Sequence, residues 1–391
     1  MRTRHVTAMY EEAFAKMLGV PHAYSFYKGR VALYAILKSL GVAEGDAVIF
    51  PGFTCIMVPN AAIYLGARPV YVDIYRDNFN IDPVKLDALL KNMCAREIRR
   101  VKAIIVQHTF GIPADMDAIS GIAGKYGIAL VEDCAHSLGS RYKGRLTGRI
   151  GVASFFSSQW SKPYSTGLGG MALTADQAIG ERLGIIRESF RMPGAFESAL
   201  LSFQIGLHRR FFSPRLYWKS MKGLRMLSAA GLFIGSSSNE EHNGDMPDEY
   251  EKRMGGYQAE AGLAALGSIE DDIEHRRRIA EFYSSELGSG KAGVRIPEGS
   301  EPVFLRYPVL VNDKDAVLKE ARNRKAEVGS WFETVLHPAK NNLERAGYIK
   351  GTCPVGEETA RLVVNLPTHP RVRMRDAERS LSIILKALKK V

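Results

Sequence analysis

Between residues 29 and 175, short apolar runs alternate with segments of helical period. The runs are Ala47-Val48-Ile49-Phe50, Val70-Tyr71-Val72-Asp73-Ile74, Ala103-Ile104-Ile105-Val106, Ala129-Leu130-Val131-Glu132, Ser154-Phe155-Phe156-Ser157 and Met171-Ala172-Leu173-Thr174. Val31 to Leu40 and Met116 to Tyr126 carry apolar residues at the helical period. Such an alternation predicts a largely parallel sheet covered on both faces. Sheets of this kind bind ligands at the carboxyl ends of their strands. Phe53-Thr54, Gln107-His108, Asp133 and Ser157 end or follow the runs and are the first candidates.

Residues 198 to 235 follow another pattern. Leu200, Phe203, Leu207 and Phe211 fall at helical spacing, and after Pro214 so do Tyr217, Met221, Leu224 and Ser228. Gly235 to Asp248 is rich in Gly, Ser, Asn, Asp and Glu and predicts a loop. Tyr257 to Leu287 predicts one long helix. Phe304 to Val311 predicts a strand, Ala316 to Asn323 a helix, and Ala377 to Leu388 a closing amphipathic helix. A chain of 391 residues suits two domains. The expected division is a large domain over 1–275, with a helical insertion at 198–248, and a smaller one over 276–391.

Composition narrows the class. Hydrophobic residues make up 46% and charged residues 24%, which excludes disordered, collagenous and coiled-coil chains. Cys55, Cys94, Cys134 and Cys353 have no metal-ligand spacing and point to a reducing, cytoplasmic compartment with no metal centre. The charged N-terminus does not read as a signal peptide, and no run approaches the roughly 18 apolar residues of a membrane span. The net charge of +11 raises nucleic acid, an anionic surface or phosphorylated ligands as partners. Six of the 53 Lys and Arg residues lie in 198–235 with no acid among them. Without a nucleic-acid-reading motif, that segment reads as a cover for an anionic substrate or as a peripheral contact with a membrane surface.

Three motifs carry candidate chemistry. Phe155 to Gly170 reads F-F-S-S-Q-W-S-K-P-Y-S-T-G-L-G-G, which places Lys162 five residues after Ser157 among apolar neighbours. A desolvated lysine has a lowered pKa and becomes a nucleophilic amine. Glu132-Asp133-Cys134-Ala135-His136-Ser137 follows an apolar strand and offers a carboxylate for a ligand cation. Lys28-Gly29-Arg30 opens a helix, where free backbone N–H groups suit an anion. A surface lysine, a strand-ending turn and an ordinary helix start are the bland readings of each. Taken in order, an anion site, a carboxylate and an amine outline a pyridoxal phosphate site.

The wider sequence resembles the DegT/DnrJ/StrS family of sugar aminotransferases. The matching stretches are G-R-V-A-L, P-G-F-T-C, Y-L-G-A-R-P-V-Y-V-D-I, Q-H-T-F-G-I-P-A-D-M-D-A-I, E-D-C-A-H-S-L-G, F-S-S-Q-W-S-K-P-Y-S-T-G-L-G-G-M, Y-E-K-R-M, R-R-R-I-A-E-F-Y and L-P-T-H-P. The resemblance implies an α/β protein of fold type I, a three-layer, mostly parallel sheet with a smaller α+β C-terminal domain. It implies that Lys162 carries pyridoxal phosphate and shuttles the proton. Asp133 would pair with the pyridine nitrogen, and His136 would contact the ring hydroxyl. Ser157 would bind the phosphate together with the amides of Gly29 and Arg30. The segment around Arg253 and Met254 matches one that reaches the partner subunit's cofactor, which implies a homodimer. The expected substrates are an amino-acid donor, glutamate, and a keto-sugar, nucleotide-linked.

Three positions depart from the family pattern. Arg30 replaces a hydroxyl residue, although a guanidinium can itself bind phosphate. Cys55 stands where an aromatic stacks on the cofactor ring, with Phe53 as the alternative cover. Glu251 replaces a phosphate-binding Asn. A sugar dehydratase on the same scaffold would have histidine in place of Lys162. A catalytically silent, cofactor-binding regulator is the other alternative. No cysteine has the setting of a desulfurase. His337 and His369 could approach the site from the small domain, and Trp331 and Phe332 suit a core or a sugar-stacking surface equally.

Overall fold

The computed structural model describes residues 2–211, 223, 226, 234–288, 294–339 and 341–389. All six apolar runs form strands. They are β2 (Ala47–Pro51), β3 (Arg68–Val72), β4 (Val101–Gln107), β5 (Ala129–Asp133), β6 (Ala153–Ser157) and β7 (Gly170–Thr174), joined at one edge by β1 (His22–Phe26). The seven-stranded order is β1-β7-β6-β5-β4-β2-β3. Only β7 runs against the rest, pairing antiparallel with both β6 and β1. The pairs from β6 through β3 are parallel.

Helix α1 (Arg2–Leu18) and helix α2 (Gly29–Ser39) lie on the β1 side of the chain order. Helix α2 is buried along almost its whole length, which suits its apolar sequence after Arg30. One apolar cluster packs α2 on the sheet through Val31, Leu33, Ile36, Val48, Phe50, Ile105 and Val131. A second covers the other face with Ile49, Leu86, Ile104, Val106, Met116 and Ile119. Alternate residues of β2 and β4 thus enter opposite clusters, as strand geometry requires.

The expected single helix over Tyr257 to Leu287 is two helices. They are α4 (Gly256–Leu266) and α5 (Ile269–Leu287), with α3 (Ala195–Phe211) before them. Gly267 and Ser268 interrupt the run, and Glu270, Asp271 and Asp272 favour a new helix N-terminus. The expected loop Gly235 to Asp248 contains a short helix, Asn239–Asn243. Ser238 and Glu241 close a capping box there. The cationic residues of 198–235 have their side chains outside the described residues.

Helix α5 crosses the expected boundary between the domains. Ile269 and Ile273 join a cluster with Tyr10, Phe14 and Phe156, whereas Ile279, Ala280 and Tyr283 join one with Val309, Val328 and Leu366. The C-terminal part is built on antiparallel strands β8 (Arg306–Leu310) and β9 (Val363–Pro367), backed by α6 (Met374–Leu388). Leu336 and His337 pair in parallel with Thr54 and Cys55, which carries the C-terminal part to the carboxyl edge of the large sheet.

Candidate active site

Strands β4, β5 and β6 are neighbours and end at Gln107, Asp133 and Ser157, so the sheet brings these three residues to one edge. Asp133 is buried, and its Oδ1 accepts the Ala135 N–H at 2.9 Å. Burial raises its pKa to about 6, against the opposing pull of that N–H, Lys162 and His108. The preceding Glu132 points the other way. Its carboxylate accepts from the Gly148, Ile150 and Gly151 amides at 2.8, 2.6 and 2.8 Å and contacts His108 Nε2 at 3.1 Å. Burial disfavours its charge, but His108 and these amides hold its pKa below the usual range. His108, Glu132 and Cys134 cluster closely enough to suggest a metal. With the Glu132 oxygens already taken, the group reads as an anchor for the strand end that carries Asp133.

Lys162 lies in the loop after β6. The loop is closed by Ser158 N–H to Gly169 O at 3.0 Å and Thr166 N–H to Ser158 O at 2.8 Å. A buried hydrogen bond between the hydroxyls of Tyr10 and Tyr164 ties it to α1. Arg276, on α5, is buried and donates to Pro163 O, Leu305 O and Thr368 Oγ1. Burial lowers the Lys162 pKa to about 8, with Asp133 and Cys55 opposing and Arg306 adding to the shift. The amine stands 5.1 Å from the ring centroid of Trp331.

His136 Nδ1 accepts the Phe110 N–H at 3.2 Å, so the neutral ring carries its proton on Nε2. Burial, with Lys162, Arg306 and His337 nearby, keeps it neutral, well below its ordinary pKa. Its ring stacks on Phe110 and on Trp331, at 6.3 and 5.8 Å. The H-T-F-G motif explains itself here. Gly111 has φ +88°, and a Cβ would meet His136 O at 2.9 Å and Phe304 N at 3.0 Å. Only glycine lets the C-terminal part dock this closely on the site.

Helix α2 begins at Gly29 directly beside Ser157. A methyl on Gly29 would lie 2.8 Å from Ser157 Cβ, and one on Gly170 would lie 2.4 Å from Gly29 Cα. The bare helix terminus and the Ser157 hydroxyl therefore form one cradle, suited to a phosphate. The Arg30 guanidinium does not face it. Its Nη2 donates to Glu241 Oε2 and Ser236 O, both at 2.6 Å, while Nε lies 2.5 Å from Glu241 Oε1. Lys28 Nζ stands 3.7 Å from Glu241, and burial with the neighbouring Arg30 lowers its pKa to about 7. Glu241 lay in a segment without periodicity, and its one sequence signal was the Ser238-x-x-Glu241 spacing of a capping box.

The remaining candidates separate cleanly. Phe53 presents no surface to the site, because its ring is enclosed by Phe79, Phe110 and Phe332. Cys55 is half-buried and has Lys162, Arg30 and Asp133 as electrostatic neighbours. Arg253 pairs with Glu188 at 2.9 Å, and Glu251 pairs with Lys38 at 3.0 Å. Phe332 is core, whereas Trp331 is half-buried at the site. His337 joins the same aromatic group, 5.6 Å from Trp331, and His369 is held by Glu327 at 3.0 Å. Arg306, whose Cζ lies 5.0 Å from the Trp331 centroid, is the site residue that sequence reasoning missed. Its signal was a lone cation inside the strand Phe304 to Val311.

Comparison with known proteins shows the family. A profile of the DegT/DnrJ/EryC1/StrS aminotransferase family matches residues 3–203 and 220–384. The spore coat polysaccharide biosynthesis protein SpsC of Bacillus subtilis is 37% identical over 380 residues, covering 94% of this chain and 86% of that protein. UDP-2-acetamido-2-deoxy-3-oxo-D-glucuronate aminotransferase of Pseudomonas aeruginosa is 30% identical over 365 residues, covering 92% and 84%. DesV of S. venezuelae shares the fold, with a TM-score of 0.75 at 24% identity over 99% of this chain and 90% of that one. The chain therefore belongs to the DegT/DnrJ/EryC1/StrS aminotransferase family, pyridoxal phosphate-dependent sugar aminotransferases.

Proposed function

We propose that this enzyme uses pyridoxal phosphate to move an amino group from glutamate to the ketone of a nucleotide-linked sugar. The observation that carries the reading is the pairing of a desolvated amine, Lys162, with a buried carboxylate, Asp133, at the edge where α2 leaves an anion cradle. These groups fit the cofactor: an amine for its aldehyde, a carboxylate for its ring nitrogen, and amides with a hydroxyl for its phosphate.

When bound, the cofactor supplies an aldehyde for the amino group and a ring that takes up the electron pair released at the donor carbon. Lys162 would hold the cofactor, and its neutral amine would accept and return the proton. Asp133 would keep a proton on the ring nitrogen. His136 Nε2–H would donate to the ring hydroxyl. Ser157 and the amides of Gly29 and Arg30 would take the phosphate, with Lys28 nearby. Cys55 would line the ring's surroundings where the family often has an aromatic, and Trp331 would supply aromatic surface from the C-terminal part. The nucleotide linkage rests on relatives such as the Pseudomonas enzyme, whose name specifies a UDP-sugar. We also propose a homodimer, on the match of Tyr250 to Met254 to the family segment. Among the described residues no helix is long and apolar enough to cross a membrane.

The test is spectral. The purified enzyme should show visible cofactor absorbance that bleaches with glutamate and returns with an acceptable keto-sugar nucleotide. Lys162→Ala should abolish both changes. Unchanged behaviour in that variant would remove Lys162 from the mechanism.

A further inference from the structure

Helix α3 has two unlike faces. The inner one, through Leu201 and Ile205, packs with Tyr27 and Leu168 into a separate cluster, with Trp160 and Ile234 at its margin. The fit is close: a methyl on Gly167 would lie 2.8 Å from Ile205 Cγ1 and 3.0 Å from Leu201 Cδ1. Glu197 adds an ion pair with Lys252 at 2.9 Å. These contacts seat α3 on the loop that carries Lys162, so the direction of its outer face is fixed too.

That outer face is apolar. Phe196, Ala199, Phe203, Gly206 and Leu207 are exposed and recur every three or four residues, so they form one stripe, and Met192 is exposed just before it. Phe196 is 81% and Phe203 67% exposed. A surface helix ordinarily turns its apolar stripe inward and its charges outward. Here the inward side is already filled, and a second apolar stripe faces out. Such a patch marks a docking surface.

Charge and composition identify the occupant. The sequence leaving α3 carries Arg209, Arg210, Arg215, Lys219, Lys222 and Arg225 without an acid, and so complements a negative surface. The one acid of α3, Glu197, is already paired with Lys252. The family profile passes over 204–219, so this run is an addition to the family pattern. It combines four of those cations with Phe211, Phe212, Tyr217 and Trp218. Aromatic and basic residues together are the composition of segments that lie in a lipid headgroup layer. A second copy fits poorly, because a two-fold contact through this face would set one cationic stretch against another.

We infer that the outer face of α3 docks on an anionic lipid bilayer, with Phe196, Phe203 and Leu207 entering the headgroup boundary and the positive charge of the following sequence drawing the face there. The contact is peripheral, since among the described residues no helix is long and apolar enough to cross a membrane. It adds a location to the activity and does not depend on which sugar is aminated.

The experiment is vesicle flotation with the full-length holoenzyme, on phosphatidylcholine alone and on phosphatidylcholine mixed with phosphatidylglycerol. Wild type should bind the mixed vesicles at least about tenfold more tightly than the neutral ones, with the difference shrinking as salt is raised. Phe196→Ser combined with Phe203→Ser should weaken that binding by about tenfold or more, because two rings no longer enter the boundary. Both side chains are exposed, so the glutamate half-reaction, followed by cofactor absorbance, should be unchanged in the variant. Arg209→Glu combined with Arg210→Glu should also lose about tenfold or more on mixed vesicles, and keeps the test open if the first variant folds poorly. Wild type that stays off the mixed vesicles, or variants that bind within about twofold of wild type, would overturn the inference. A smaller oligomer in the aromatic variant, read by light scattering without lipid, would assign the face to a second copy and overturn it as well. Failure of the aminotransferase reading is separate: wild type would then take an amino group from no amino acid, while flotation would still report on α3.

Discussion

Arg30 and Glu241 are 211 residues apart in sequence, yet they meet as a buried ion pair with Nη2 2.6 Å from Oε2. The pair clamps the first turn of α2 to the segment that follows the cationic stretch 198–235. The side chain expected to reach for phosphate is instead spent on fixing the helix whose backbone does so.

That relationship predicts a large stability effect from a small change. Glu241→Gln leaves Arg30 buried without a charge partner and should cost about 3–5 kcal/mol, measured by denaturant unfolding. A double variant, Arg30→Met with Glu241→Gln, should recover much of it. Burial opposes the Glu241 charge, but Arg30 and Lys28 outweigh this and hold its pKa below the usual carboxylate range. A depressed carboxylate pKa means the contribution is present above the unfolded value and lost as pH falls through the folded one. The pair should therefore be intact at neutral pH and fail only in acid.

The lowered Lys162 pKa sets the pH dependence of cofactor capture. Only the neutral amine attacks an aldehyde, and at a pKa of about 8 its neutral fraction grows steeply up to that pH and then levels. The rate at which apoenzyme takes up pyridoxal phosphate should rise about tenfold from pH 7 to pH 9. An inflection near the ordinary lysine value, about 10.4, would show that burial does not perturb this amine.

Asp133→Asn should keep the fold, since the Ala135 N–H retains an acceptor. It should nevertheless lower the glutamate half-reaction by at least about 100-fold, because an amide does not hold a proton on the ring nitrogen. Near-normal rates, read by stopped-flow absorbance, would remove that role from Asp133.

Gly29→Ala separates helix propensity from contact. Alanine is favoured in a helix by about 1 kcal/mol. Here its methyl would lie 2.8 Å from Ser157 Cβ and 3.3 Å from Phe156 O, so crowding decides the sign. Cofactor affinity should fall by about tenfold or more, measured by equilibrium dialysis, with global unfolding little changed.

Adjacent aromatics should behave oppositely. Phe332→Ala removes a core ring that packs 4.8 Å from Phe53 and should cost about 3–5 kcal/mol. Trp331→Ala should cost much less stability and instead impair substrate handling. Thermal unfolding and steady-state kinetics on both variants check the split.

The amino-acid sequence by itself determined the six sheet strands named from their apolar runs, because four or five consecutive buried positions between turn residues leave little alternative. It also pointed to Asp133, His136, Ser157 and Lys162 near the carboxyl edge, since Asp133 and Ser157 end their strands and His136 and Lys162 follow within five residues. Helices were legible where the period was unbroken, as at Met116–Tyr126, and not where Gly267 and Ser268 broke one apparent run into two. Strand β1 escaped notice because its burial pattern, with two half-buried positions among five, leaves no continuous apolar run. Tertiary structure alone decided what the side chains of distant segments do to one another. It buried Phe53 among Phe79, Phe110 and Phe332, gave the Arg30 guanidinium to Glu241, and set Arg306 and Lys162 against one tryptophan. Periodicity records which face of an element is buried, but the partner on the other side of a contact enters only when remote elements pack.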